Sequence, residues 1–114
     1  MRICIIGKYG SHELPRESRE ANVIKAIEAA RALIIKGHSP FCPHLSHWVH
    51  EGWGWEGSTP ERWYKIDNDW LSCAEGIYAL ANWTDSLGAT NEHKLAQSLG
   101  IPIYYHLEEV PNGV

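Results

Sequence analysis

The chain has 114 residues and a mass of 12.9 kDa, the size of one domain, and 44% hydrophobic residues give it enough material for a core. A formal charge of −4 and a pI near 5.9 argue against a basic face for polymeric nucleic acid, while leaving open a single nucleotide held by local dipoles. No apolar run is long enough to span a bilayer, and three cysteines (Cys4, Cys42 and Cys73) without CxxC spacing fit reduced thiols in a cytoplasmic protein.

The first element follows at once. Met1-Arg2-Ile3-Cys4-Ile5-Ile6-Gly7 has a short apolar run without a cleavage site, so it reads as a strand at residues 3–6 rather than a signal peptide. Val23, Ala26, Ile27, Ala30, Leu33 and Ile34 then recur at helical spacing, and Gly37 supplies the stop. A weaker strand signal covers residues 40–42. The stretch 43–59 is rich in histidine (His44, His47, His50) and tryptophan (Trp48, Trp53, Trp55), with Gly52, Gly54 and Gly57 between them. It is expected to be a mobile loop over a pocket, with one tryptophan stacking on a ligand; an aromatic subunit interface is the alternative. Thr59-Pro60 is a helix start with an N-cap and an N1 proline, and Trp63, Ile66, Trp70, Leu71 and Ala74 form its expected inner face. Residues 77–81 read as a strand, 88–99 as a helix with Leu95, Ala96 and Leu99 inward and Gly100 closing it, and 103–105 as a last strand. Residues 108–114 are expected to be a fraying tail after a domain spanning 1–107.

Strands apolar on both faces and alternating with helices predict an α/β fold: a single Rossmann-like (flavodoxin-like) three-layer domain with a parallel sheet of four to five strands. Ligands of such sheets bind at the carboxyl ends of the strands. Here that edge is made by residues 7–20, 43–59 and 82–88.

Two carboxylates stand where apolar residues belong. In the helix after Pro60 the apolar positions are 63, 66, 70, 71 and 74, and Asp67 falls among them; Asp69 lies about 200° round the helix and is free to be solvated. In the helix after Gly88, Glu92 shares a face with Leu95, Ala96 and Leu99. Burying an unpaired carboxylate costs several kcal/mol or raises its pKa. Two such residues near a ligand-binding edge are a candidate acid/base pair. The bland reading of Glu92, a carboxylate at the helix N-terminus, is weakened because the capping position three residues earlier is Ala89. Between strand and helix, Asp85-Ser86-Leu87-Gly88-Ala89-Thr90 is a small polar turn whose N–H groups and Ser86 hydroxyl suit a phosphate oxygen, or simply a helix cap. The spacing of the three histidines also suits zinc, but no fourth ligand is evident, and no metal is expected.

These segments resemble a known group. Ser86-Leu87-Gly88-Ala89-Thr90-Asn91-Glu92 followed by Ala96 is similar to the S-x-G-x-x-x-E-x-x-x-A signature of the nucleoside 2-deoxyribosyltransferase superfamily, and most of all to the small DUF4406 proteins. The 2′-deoxynucleoside 5′-monophosphate N-glycosidases share the segment. Asp67-x-x-Trp70-Leu71-x-x-Ala74-Glu75 and the opening Arg2-Ile3-Cys4-Ile5-Ile6-Gly7-Lys8-Tyr9 resemble two further motifs of that superfamily. Cys4 stands where the family commonly has tyrosine, Lys8 where it has proline, and Glu75 where it has aspartate.

The resemblance implies cleavage or transfer at the N-glycosidic bond of a (deoxy)nucleoside or its 5′-monophosphate. Glu92 is then the nucleophile at C1′, and Asp67 assists proton transfer at the leaving base. Ser86 and Gly88 would meet the 5′ end of the ligand, and Gly7 and Tyr9 would line the pocket. From the residues of the 43–59 loop, Trp48, Trp53 or Trp55 is expected to stack on the base and His44 or His47 to meet phosphate or ribose. No cofactor is implied, no membrane is involved, and a homodimer or larger homo-oligomer is expected. The alternative is a nucleotide-sensing module on the same fold that does no chemistry.

Overall fold

The computed structural model describes residues 1–10, 14–54 and 56–113. Four parallel strands, β1 (Arg2–Ile6), β2 (Ser39–Phe41), β3 (Gly76–Ala79) and β4 (Ile103–Tyr104), make one sheet in the order β2-β1-β3-β4. Helix α1 (Arg16–Ile35) leads from β1 to β2. The short turn α2 (His47–His50) and helix α3 (Pro60–Leu71) precede β3, and helix α4 (Leu87–Ser98) leads to β4. This is the expected three-layer α/β architecture.

The strand side chains alternate between two cores, as a period of two dictates. Ile3 and Ile5 point to one face and pack with Ala26 and Leu33 of α1, Cys42, Leu80 and Val110. Cys4 and Ile6 point to the other and pack with Leu71 of α3, Ala96 of α4, Ile77 and Ala79. Because β1 leads to a neighbour on one side and β3 sits on the other, the sheet forks at their carboxyl ends, and a crevice opens there.

Local chemistry sets the helix ends. Thr59 caps α3 by accepting from Arg62 N, with Pro60 at the first helical position. Gly37 and Gly100 follow α1 and α4 at φ +93° and +70°, a region that a side chain disfavours. Gly7 is needed for a different reason: a Cβ there would lie 2.5 Å from Leu80 Cδ1, so the loop leaving β1 packs against the end of β3 only with glycine.

Three expectations need correction. The inner face of α3 is narrow: Leu71 is buried and Trp63 and Asp67 are partly buried, but Ile66 and Trp70 are exposed, with Trp70 lying beside Phe41 at 5.8 Å between rings. The helix touches the body along i, i+4, i+8 instead of across a broad stripe. Likewise Leu99 is half exposed, and α4 packs through Ala89, His93 and Ala96. The last residues do not fray through 113. Val110 is 1% exposed, Lys36 Nζ donates to the carbonyls of Leu107 and Val110, and Gly113 N donates to Lys36 O. The hydrophobic contact of Val110 on the α1 face offsets the entropy of ordering this segment.

Leu71 is the only fully buried residue of α3, so it anchors the helix that carries Asp67. Leu71→Ala is expected to cost about 2–5 kcal/mol in urea unfolding. A loss below about 1 kcal/mol would show that α3 is held by other contacts.

Candidate functional site

A cavity of about 540 Å³ occupies the crevice at the strand ends, within the range typical of small-molecule sites. The loop after β1 contributes Gly7, Lys8 and Tyr9. The turns after β2 contribute His44, His47 and His50. The start of α4 contributes Ser86 and Gly88, while Asp67 comes from α3 and Glu92 from α4.

The two carboxylates meet in this one cavity. Glu92 is pushed up to about 8, first by removal from water and then by the charge of Asp67, and Asp67 is pushed up to about 7 by burial. Asp67 Oδ1 is out of contact with water and accepts no hydrogen bond. At neutral pH the pair therefore keeps at least one proton, the larger share on Glu92, which places a carboxylate and a carboxylic acid in the same space. Asp69, on the opposite side of α3, is exposed and bonded to Lys65 at 2.8 Å.

Ser86 is the N-cap of α4: its Oγ accepts from Ala89 N at 3.1 Å, and its carbonyl accepts from Thr90 Oγ1. The helix starts one residue earlier than the sequence suggests, so the cap is Ser86. It lines the cavity as well. Gly88 lies close to Tyr64, where a Cβ would come within 3.3 Å of the ring.

The histidine segment departs most from expectation. His44, His47 and His50 are 5%, 1% and 7% exposed and face inward from helical turns, so residues 43–50 form a wall rather than a loose lid. His44 Nε2 donates to Gly7 O at 3.2 Å, and burial lowers its pKa, keeping the imidazole neutral. Trp48 does not line the cavity. It is 58% exposed and sits edge-on against His47, turned to the surface and not to the ligand contact expected of it. Trp53 is also exposed, and Trp55 lies outside the described residues. The aromatic wall is instead Trp63 and Tyr64 of α3. Trp63 Nε1 donates to Ser58 Oγ at 2.6 Å, and Ser58, fully buried, also bonds His50 Nδ1. Sequence reading assigned Trp63 to the core, and nothing in the spacing separated the two roles. Among the described residues no cluster of three histidine, cysteine or acidic side chains is arranged to hold a metal ion.

Tyr9 is held from the side of the histidine wall. Its hydroxyl is bonded to His47 Nδ1 at 2.6 Å. Cys4 is buried in the core beneath the acid pair, where desolvation and then the charges of Glu92 and Asp67 raise its pKa and keep it a thiol.

A raised carboxyl pKa in the folded state gives a definite sign. The folded protein binds protons that the unfolded chain releases above the ordinary carboxylate range. Stability is therefore full below that range and falls as pH rises through about 8. Glu92→Gln is expected to unfold later than the parent in urea at pH 9, by a few kcal/mol, with a smaller difference at pH 5. Equal urea midpoints for the two proteins at pH 9 would contradict the burial of this charge.

Comparison with known proteins agrees with the geometry. The fold is similar to that of the 2-deoxyribosyltransferase of the psychrotolerant bacterium Bacillus psychrosaccharolyticus, with a TM-score of 0.64 and 20% identity, covering 90% of this chain and 69% of that one. No curated protein matches the chain. The model of a domain of unknown function, DUF4406, matches residues 18–105, a span that contains both carboxylates and the Ser86 cap. The chain belongs to the DUF4406 family and has a nucleoside 2-deoxyribosyltransferase-like fold.

Proposed function

We propose that this protein cleaves or transfers the N-glycosidic bond of a (deoxy)nucleoside or its 5′-monophosphate, with Glu92 as nucleophile and Asp67 as proton donor to the leaving base. One observation carries the reading: two carboxylates line one cavity, and burial holds both above the usual carboxylate range, so that at least one keeps its proton near neutral pH. Glycosidic cleavage needs that combination, with the proton that rests mainly on Glu92 in the free protein passing to Asp67 before attack. Positive charge develops at C1′ as the bond breaks, and a carboxylate captures it covalently. An acid supplies the proton with which the base departs. Water or a second base then resolves the glycosyl–Glu92 ester, giving hydrolysis or transfer respectively.

The remaining walls suit the parts of such a ligand. Trp63 and Tyr64 present aromatic surface to the base. Gly7, Tyr9 and His44 also line the cavity and are suited to the sugar, while at the start of α4 Ser86 offers its hydroxyl and Gly88 its backbone N–H to the 5′ end.

Two further parts of the proposal rest on surface chemistry. Three free cysteines, one of them exposed, suit a reducing cytoplasm. The exposed Ile66 and Trp70, one turn apart on α3, form an apolar face suited to a second copy of the chain. No helix among the described residues is long and apolar enough to cross a membrane.

Incubation with each (deoxy)nucleoside and 5′-monophosphate, with and without an acceptor base, is expected to release free base. Glu92→Ala is expected to lower that release by at least about 10³-fold while ligand affinity stays within a few-fold, read by chromatography and by calorimetric titration. Undiminished turnover in Glu92→Ala would remove Glu92 from the mechanism.

A further inference from the structure

One constellation beside the cavity is not used by the two carboxylates. Tyr9 lines the cavity, and its hydroxyl is bonded to His47 Nδ1 at 2.6 Å. His47 Nε2 in turn lies 3.2 Å from Glu20 Oε1 on α1. The His47 side chain has 0% exposure and that of Glu20 38%, so the three groups connect the cavity to solvent through a dry imidazole. Arg16 holds Glu20 from the outer side at 2.8 Å, and its hydrogen bond, followed by that of His47, keeps the Glu20 carboxyl below the usual range. Glu51 approaches His47 Nδ1 at 3.9 Å, and Arg19 pairs with Glu51 at 3.5 Å.

The direction of the hydrogen bonds follows from the end of the chain. An ionised carboxylate only accepts, so Glu20 requires a proton on His47 Nε2. In the neutral imidazole Nδ1 is then bare and accepts from the Tyr9 hydroxyl. Tyr9 has therefore spent its hydrogen on His47, and its oxygen offers only lone pairs to the cavity. Burial, followed by Glu51 and Glu20, raises the Tyr9 pKa against the opposing effect of Arg19, which keeps the phenol protonated at rest. Such an oxygen suits a hydrogen-bond donor, and water is the donor that the glycosidic reaction still needs.

We propose that Tyr9, His47 and Glu20 form a proton relay serving the water that resolves the glycosyl–Glu92 ester, which makes hydrolysis an intrinsic activity of this chain. The inference rests on the glycosidic reading and specifies its second half. The water oxygen forms a bond to C1′ as the C1′–O bond to Glu92 breaks and returns its electron pair to the carboxylate. The water proton passes to the Tyr9 oxygen, the Tyr9 proton to His47 Nδ1, and the His47 Nε2 proton to Glu20, which releases it to solvent. Glu20 then takes a proton from solvent, and reverse transfers along the same bonds restore the resting tautomer and deliver a proton from Tyr9 to the ionised Asp67, which had given its own to the departing base. A nucleobase acceptor loses its own proton to Asp67 and does not need the relay.

Tyr9→Phe, His47→Gln and Glu20→Gln in the full chain test this by rapid-quench measurement of base release from deoxynucleosides and their 5′-monophosphates. The first-turnover burst is expected to remain within about 3-fold of the parent in Glu20→Gln, which lies outside the cavity lining. In Tyr9→Phe and His47→Gln, which alter the wall itself, the readout is the ratio of steady-state rate to burst. Steady-state hydrolysis is expected to fall by about 10²-fold in Tyr9→Phe and His47→Gln and by about 10-fold in Glu20→Gln, with turnover recovered on adding an acceptor base. Unchanged steady-state hydrolysis, or an equal fall in burst and steady state, would overturn the relay while leaving Glu92 as nucleophile. Absence of base release by the parent would overturn both readings together. Nitrogen-15 spectra of the resting protein at pH 7.5 give a readout that needs no turnover: His47 is expected to carry its proton on Nε2 alone. A proton on Nδ1, in either the neutral or the doubly protonated ring, would overturn the relay. Glu20→Gln alters a partly exposed side chain and so guards against misfolding of the His47 variant.

Discussion

The structure depends on a carboxylate pair that water cannot fully reach. Asp67 and Glu92 come from different helices, and each is expensive to hold ionised where it sits. The cost is lessened when protons are retained, and burial accordingly raises both groups above the usual carboxylate range, as the proposed acid and base roles require. Everything else in the fold can be read as holding these two side chains at one opening. The parallel sheet forks between β1 and β3, Gly7 lets the β1 loop close against Leu80, and Leu71 and Ala96 seat the two helices on one core.

The helix that carries Asp67 is lightly attached. Only Trp63, Asp67 and Leu71 of α3 lie on its inner line, while Ile66 and Trp70 look outward. Placing a polar group in the middle of so narrow a contact costs stability, a pattern that agrees with the role proposed for Asp67. The wall on the far side is firmer. His47 and Ser58 are almost wholly buried, and bonds from Tyr9, Glu20 and Trp63 fix the faces that they present.

Much of the architecture was legible in the sequence because its signals were local. Short runs apolar on both faces gave the four strands, Thr59-Pro60 gave the start of α3, and Gly37 and Gly100 gave the ends of α1 and α4. Asp67 and Glu92 were visible because a charged residue interrupted an apolar stripe. What was not legible depended on partners distant in the chain. Nothing near Glu20 announces that it meets His47, 27 residues later. A tryptophan at helical spacing looks the same whether it fills a core, as was expected of Trp63, or lines a cavity, as it does. Trp48 misled for the converse reason: aromatic density suggested stacking, but a single turn of helix carries that ring to the surface. The order of residues 108–113 came from Val110 and Lys36 acting across the fold, which composition alone does not reveal.

The retained proton is open to direct measurement without knowledge of the substrate. Carbon-13 titration of the side-chain carboxyls should give midpoints near 7 for Asp67 and near 8 for Glu92, and Asp67→Asn should lower the Glu92 midpoint. Midpoints for both groups in the ordinary carboxylate range, with Glu92 indifferent to the loss of Asp67, would contradict the account.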